Sequence, residues 1–190
     1  MATTPFPEPA STSDLRGLFL EYLDFYRDVV IGRLEGLESE TLQHSVVSSG
    51  WTAAGLLNHL AEVERRWMVW GFAGTQLDDP WRDAAGTEEG SGWVSPAVDA
   101  SELAARLRRA GADTRRVAEA HRLTDRAAVG GRYTEERSAP QLQWVLLHLV
   151  QEYARHAGHL DIWRELHDGT VGEIGPHASD GEPQPPPGLP

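Results

Sequence analysis

The stretch that decides the fold is residues 142–169, which read LQWVLLHLVQEYARHAGHLDIWRELHDG. It starts just after Pro140, a residue that favours the first turn of a helix, and it ends at Asp168 and Gly169, since glycine is typical of the position after a helix. Its first half is apolar on nearly every side, which is the pattern of a helix buried among others. The sequence therefore predicts one long central helix.

Three more segments show the spacing of apolar residues by three and four that marks one face of a helix. We expect these helices at residues 14–37, 52–72 and 101–123. Thr52 is a favourable N-cap for the second of them. No segment alternates apolar and polar residues as a strand does, so the predicted fold class is all-α, a four-helix bundle.

A long connection separates the second and third predicted helices. Residues 74–100 are rich in Gly, Asp and Glu, and connections of this length are often functional. The length argues against a simple up-and-down order of the helices. The acidic part, residues 78–99, is more typical of a solvated connection than of a site.

Both ends of the chain are rich in proline and small polar residues, a composition that buries too little apolar surface to fold. We expect disorder at residues 1–12 and 171–190, and one domain at residues 13–170. The first residues lack the basic patch and apolar run of a signal peptide, and no stretch reaches the ~20 apolar residues of a membrane span. The expected location is the cytoplasm, with no membrane partner.

The composition restricts the chemistry. The 190 residues include 17 basic and 29 acidic ones, a net charge of −12 that would repel phosphate backbones, so no nucleic-acid partner is expected. The chain contains neither Cys nor Lys. This excludes disulfides, thiolate metal sites, a cysteine nucleophile and a Schiff-base lysine. Any bound metal ion must be held by His, Asp or Glu.

Four potential ligands follow one another in the last predicted helix: His148, Glu152, His156 and His159. Residues four apart on a helix are neighbours and can share one ion. His148 and His156 are about 12 Å apart along the axis, too far for one ion with bonds of ~2 Å. The feasible pairs are His148 with Glu152, Glu152 with His156, and His156 with His159. A third ligand must come from another helix, and His59 is the candidate because its helical face is otherwise apolar.

The same residues also have a structural interpretation. Glu152 and His156 are spaced like an ordinary helix-surface pair, and His59 could be a core histidine with a backbone or side-chain partner. An unpaired buried carboxylate is costly, so Glu152 on a central helix needs a cation. That cation is a metal ion or an arginine such as Arg155 or Arg66, and spacing alone leaves both open.

Residues 49–68, SGWTAAGLLNHLAEVERRWM, together with residues 142–169, resemble the DinB-like superfamily, and within it the subgroup that includes mycothiol-dependent enzymes. Residues 32–43, GRLEGLESETLQ, match the end of the first helix and its loop, so the resemblance covers nearly all of 13–170. It implies a DinB-like four-helix bundle with a divalent metal ion at its centre. In that subgroup one ligand is a histidine of the second helix. The other two are a Glu and a His that are spaced by four in the last helix. These correspond to His59, Glu152 and His156.

Two histidines and one carboxylate leave open coordination positions, as in catalytic zinc sites. Zn²⁺ is the metal expected first, with Ni²⁺ or Fe²⁺ as alternatives. A bound ion can deprotonate a thiol, and because the chain has no Cys, that thiol must be a separate cosubstrate. The resemblance thus implies a metal-dependent thiol S-transferase that activates a low-molecular-weight thiol such as mycothiol for attack on an electrophile. The related maleylpyruvate isomerases use a second, C-terminal domain, whereas a Pro-rich tail follows the bundle here, so the isomerase activity is not expected.

Several assignments around this centre stay open. A metal-dependent hydrolase and a non-catalytic metal-binding stress protein are the alternative functions. His148 and Glu62 are the candidates for a pocket or acid–base residue beside the ion, each one turn from a ligand. Members of the superfamily tend to dimerise, which implies a homodimer. We expect Trp67 and Trp144 to pack in the core. We expect Arg65, Arg66 and Arg155 to form ion pairs on the surface.

Overall fold

The computed structural model describes residues 14–84 and 93–171, and within them it contains five α-helices and no strand. Most of the predicted disordered ends, 1–12 and 171–190, lies outside the described residues. The helices are α1 (Leu15–Gly32), α2 (Ser39–Leu42), α3 (Ala53–Glu64), α4 (Ala100–Glu119) and α5 (Leu142–Asp168). Helix α3 continues directly into a π-helical segment, Arg65–Phe72, and a short 3₁₀ turn, Glu136–Ser138, precedes α5.

The four long helices form a bundle, which confirms the predicted fold class. Helix α1 packs mainly on α5, and α3 packs mainly on α4, while contacts of α1 with α4 and of α3 with α5 close the ring. The short α2 was not predicted. None of the helices in the described ranges is long and apolar enough to cross a membrane. The homodimer and the cytoplasmic location stay predictions.

Local signals explain where the helices begin and end. The side chains of Asp14, Thr52 and Asp99 each accept a hydrogen bond from a backbone N–H in the first turn of α1, α3 and α4. Helix α5 ends at Gly169, which has a left-handed φ of 75°. Helix α1 stops earlier than predicted because its last turn tightens into i→i+3 hydrogen bonds and Gly36 then adopts a φ of 77°.

Helix α5 is less completely buried than its sequence suggests. Leu142, Val145, Leu146 and Leu149 are fully enclosed, but about half of the Leu147 side chain is exposed. Helix α5 contacts α1, α3 and the π-helical segment, as a central helix does, but its apolar first half has one open side.

A buried ion pair lies at the centre of the bundle. The Glu64 carboxylate on α3 accepts hydrogen bonds from Nη2 of Arg27 on α1 at 3.0 Å, and from the hydroxyls of Thr114 on α4 and Tyr153 on α5, both at 2.5 Å. Burial raises the pKa of Tyr153 well above its usual value, so its hydroxyl stays protonated and donates. All four long helices thus meet at one carboxylate. Gly111 makes room for this arrangement, because a Cβ there would lie 2.3 Å from Cζ of Arg27.

The π-helical segment and the loop before α5 are held together by backbone hydrogen bonds. The N–H of Ala73 donates to the carbonyl of Met68 at 2.9 Å, an i→i+5 bond that gives the segment its wider turn. The N–H of Ala128 donates to the carbonyl of Phe72 at 2.8 Å, and that of Arg132 to the carbonyl of Trp70 at 3.3 Å. These hydrogen bonds attach the π-helical segment to the loop of residues 126–133.

Candidate metal centre

Helices α3 and α5 bring three candidate ligands together in the middle of the bundle. One ligand atom each of His59, Glu152 and His156 lies within 4.8 Å of the other two. Oε2 of Glu152 is 3.4 Å from Nε2 of His156 and 4.0 Å from Nε2 of His59. Two donors that bind one tetrahedral ion with bonds of ~2.1 Å are about 3.4 Å apart. The three side chains are therefore spaced to hold one such ion.

The orientation of the His59 ring is determined by Asp83, which lies in the long connection. Nδ1 of His59 is 2.7 Å from Oδ2 of Asp83, and Arg66 donates to the two oxygens of the same carboxylate at 2.6 and 3.2 Å. Burial raises the pKa of Asp83, but the hydrogen bonds from His59 and Arg66 outweigh this effect and bring it to about 2. The ionised carboxylate accepts a hydrogen bond from Nδ1–H, so the lone pair of His59 is on Nε2, which faces Glu152.

His156 is oriented in a similar way by its neighbour one turn further along α5. Nδ1 of His156 is 3.1 Å from Nδ1 of His159, a distance at which one nitrogen donates to the other. Burial lowers the pKa of His159, which favours the neutral ring. This contact occupies Nδ1 of His156 and leaves Nε2 for the cluster.

Trp93 forms one wall of the cluster. Its ring stacks on His59 with centroids 4.6 Å apart and meets His156 edge-on with centroids 5.1 Å apart. Trp51 lies behind it, 6.3 Å away between centroids. The Trp93 indole covers one side of the two histidines with apolar surface, which strengthens electrostatic interactions there by excluding water.

Glu152 has imidazoles rather than a guanidinium around it. The alternative partner Arg66 binds Asp83 instead, and no ion pair connects Glu152 to an arginine within residues 14–84 and 93–171. The pKa of Glu152 is lowered, chiefly by its hydrogen bond with His156. An ionised carboxylate and two imidazole nitrogens that converge on one point form a donor set for a cation once the nitrogens are unprotonated, so the chemistry of the cluster fits a metal ion.

The two other predicted site residues lie in different surroundings. Nε2 of His148 is 3.4 Å from Oε1 of Glu152, so His148 contacts the carboxylate on its second oxygen. Glu62 is not brought to the cluster: its carboxylate forms ion pairs with Arg65 at 2.9 Å and Arg82 at 2.5 Å. Of His148 and Glu62, only His148 is therefore in contact with a candidate ligand.

Several expectations for the surrounding residues are wrong. Asp83 is 2% exposed and Trp93 is half-buried against His59, so the connection is not simply solvated. Arg66 is buried in its ion pair, not on the surface. Sequence reasoning missed Asp83 and Trp93 because a loop has no periodicity to place its side chains. The only signal was the presence of two tryptophans, Trp81 and Trp93, in a segment rich in Gly, Asp and Glu.

We predict that Asp83→Asn lowers the affinity for Zn²⁺ about 10–100-fold, the usual effect of replacing a residue that hydrogen-bonds a metal-binding histidine. The amide cannot provide the negative charge that keeps the proton on Nδ1 of His59. Competition with a chromophoric chelator measures the affinity, and far-UV circular dichroism checks the fold. Asp78→Asn, an exposed position of the same connection, is the matched control. Equal Zn²⁺ affinity of Asp83→Asn and the unmodified protein would contradict the role of Asp83.

Comparison with known proteins agrees with this architecture. A search of curated proteins finds no match to the chain. The sequence model of the family described as mycothiol S-transferase matches residues 18–169. This range includes α2 to α5 entirely, most of α1, and every residue of the cluster. The resemblance found from the residues is thereby confirmed, and the chain belongs to the mycothiol S-transferase family.

Proposed function

We propose that this protein is a metal-dependent thiol S-transferase that joins mycothiol to an electrophile, with His59, Glu152 and His156 as the metal ligands. The observation that carries the proposal is the convergence of three donors within 4.8 Å in a chain of this family. Zn²⁺ is the proposed ion because two imidazoles and one carboxylate are typical of catalytic zinc sites with open positions.

The charge of the cluster favours an anionic cosubstrate. A divalent cation held by one ionised carboxylate and two neutral imidazoles has a net charge of +1. Such an ion lowers the pKa of a thiol that coordinates it. The chain itself supplies no sulfur nucleophile, because it has no Cys.

The protein's own residues prepare the reaction. Asp83 and His159 hold the two imidazoles with Nε2 towards the cluster, and Trp93 shields one side from water. In a substitution, the sulfur electron pair forms the new C–S bond, the leaving group departs with its own pair, and the thiol proton passes to solvent. In an addition, the attacked compound accepts that proton.

A thiol-conjugation screen tests the proposal. Zn²⁺-loaded protein is incubated with monochlorobimane and mycothiol, glutathione or bacillithiol, and the fluorescent conjugate is measured. We expect conjugation above the uncatalysed rate with mycothiol, and none above it with Glu152→Ala. Elemental analysis confirms the metal content of each sample. If the loaded protein accelerates conjugation with none of the three thiols across a panel of electrophiles, the transferase proposal is wrong, and ester hydrolysis by the same samples would then favour the hydrolase.

A further inference from the structure

A second feature lies next to the metal centre, at the start of α5. A cavity of about 560 Å³ opens between the π-helical segment, the loop of residues 126–133 and the N-terminal turn of α5. This volume is in the range of small-molecule sites. Among residues 14–84 and 93–171 no acidic side chain lines it, although the chain as a whole has a net charge of −12. Its main lining residues are Trp67, Trp144, Arg126, Arg132, Tyr133 and Arg137.

Arg132 is a lining residue with an unpaired side-chain donor. Its Nη1 is buried and has no hydrogen-bond partner in the part of the chain that the structure describes. By contrast, Arg126 donates to the carbonyl of Ala139 at 2.8 Å, and Arg137 forms an ion pair with Glu135. A buried donor without an acceptor is unfavourable, so the cavity lacks an acceptor at this point.

The guanidinium of Arg132 is held in a position to receive such an acceptor. Its Cζ lies 3.9 Å from the centroid of the Trp67 ring, and its backbone N–H donates to the carbonyl of Trp70. Stacking uses the face of the guanidinium and leaves the N–H groups in its plane free. These N–H groups form a fork that matches the two oxygens of a carboxylate.

The two tryptophans provide a flat apolar surface beside this fork. The Trp67 and Trp144 ring centroids are 5.4 Å apart, and Trp144 is 49% exposed. Both rings also contact His148, at 4.4 and 5.4 Å between centroids. Because His148 also contacts the Glu152 carboxylate, it lies between the two rings of the cavity and the metal centre. The expectation that Trp67 and Trp144 are core residues is therefore wrong for Trp144.

We propose that this cavity binds the electrophile, and that the preferred electrophiles carry a carboxylate on a flat apolar frame. The carboxylate pairs with Arg132, the frame lies against Trp67 and Trp144, and the reactive carbon extends past His148 towards the ligands. Tyr133 lines the same cavity, and burial raises the pKa of its hydroxyl, which stays protonated at neutral pH. The inference rests on the proposed transferase function, since it assigns a substrate class to that reaction.

A binding measurement that needs no turnover tests the subsite. Calorimetry compares 2-naphthoate with its neutral analogue 2-naphthamide on the Zn²⁺-loaded protein. We expect the acid to bind about tenfold or more tightly than the amide, because a charged hydrogen-bonded pair replaces a neutral one. Arg132→Gln should remove this preference without changing the metal content. Arg137→Gln, at the rim, is the matched control and should keep the preference. Equal affinity for acid and amide, or an unchanged preference in Arg132→Gln, would overturn the proposal.

A kinetic comparison separates this inference from the transferase proposal. With mycothiol and 4-(bromomethyl)benzoate, Arg132→Gln should raise KM for the acid with little change in kcat, and should raise KM for 4-(bromomethyl)benzamide by a smaller factor. Unchanged kinetics with the acid would overturn the subsite and leave the transferase proposal intact. Acid-selective binding without any conjugation would overturn the transferase proposal and, with it, the role of the cavity in that reaction.

Circular dichroism shows whether Arg132→Gln folds. If it does not fold, a second variant, Trp144→Ala, tests the same cavity. Trp144→Ala removes a half-exposed ring that forms part of the flat surface. It should weaken the binding of 2-naphthoate and 2-naphthamide alike, because both lose the same aromatic contact. Unchanged binding of both probes in this variant would overturn the proposed position of the frame.

Discussion

Replacing Glu152 with alanine is expected to lower the affinity for Zn²⁺ by more than about 100-fold, since replacing a residue that merely supports a ligand already costs about 10–100-fold. Glu152 is the one carboxylate of the three ligands, and its loss leaves two neutral imidazoles. The same result is expected for His156→Ala, which removes a nitrogen 3.4 Å from the carboxylate. Affinity is measured by chelator competition after the protein has been stripped of metal, and elemental analysis gives the stoichiometry.

The control for this experiment is a histidine outside the cluster. His44 is exposed and belongs to no ligand set in residues 14–84 and 93–171. His44→Ala should therefore bind Zn²⁺ as the unmodified protein does. The proposed ligand set is wrong if Glu152→Ala and His156→Ala, both folded by circular dichroism, keep the metal content and affinity of that control.

Replacing Glu64 with alanine is expected to lower the free energy of unfolding by about 3–5 kcal/mol, because it leaves the buried Arg27 guanidinium without its main counter-charge. Glu64 is 0% exposed, and the hydroxyls of Thr114 and Tyr153 lose their acceptor as well. Domains have total stabilities of about 5–15 kcal/mol, so the loss is a large fraction. For a chain of this size it corresponds to a fall in Tm of about 6–20 °C. Thermal and urea unfolding followed by circular dichroism measure it.

An exposed ion pair provides the contrast. Glu119 lies 3.4 Å from Arg115 on the surface of α4, and Glu119→Ala should cost no more than about 1 kcal/mol. Combining Glu64→Leu with Arg27→Met should recover part of the lost stability, because it removes both buried charges instead of one. The role assigned to the buried pair is refuted if Glu64→Ala destabilises the protein no more than Glu119→Ala does.

The sequence was informative where the chemistry follows helical geometry. The spacing of Glu152 and His156 places them on one face of any helix, and this local rule limited the pairs that can share an ion. His59 was already the candidate third ligand because its helical face is otherwise apolar, and the family resemblance then selected the set of His59, Glu152 and His156 from the combinations that spacing had left open. The predicted bundle was confirmed for a similar reason, since apolar periodicity is a local property.

Contacts that depend on the path of a loop were not predictable in this way. Asp83 reaches His59 from a connection without periodicity, and its acidic neighbours suggested solvent. The buried pair of Arg27 and Glu64 was missed for a different reason. Charged residues on helices are usually exposed, so nothing in the sequence around Arg27 and Glu64 indicated that both are buried. The space for the Arg27 side chain is created by Gly111, which is distant in sequence.

The π-helical segment Arg65–Phe72 lies between the metal centre and the electrophile cavity along the chain, and this has an evolutionary consequence. An i→i+5 turn holds one residue more than an α turn. Deleting one residue between Glu64 and Trp67 would turn the Trp67 indole by about 100° around the axis and take it away from Arg132. His59 precedes the deletion and would keep its place on α3, but the same deletion would remove Arg66 from the Asp83 carboxylate that orients the His59 ring. The length of this segment therefore couples the two places, and a single-codon deletion would alter the cavity wall and the support of His59 in one step.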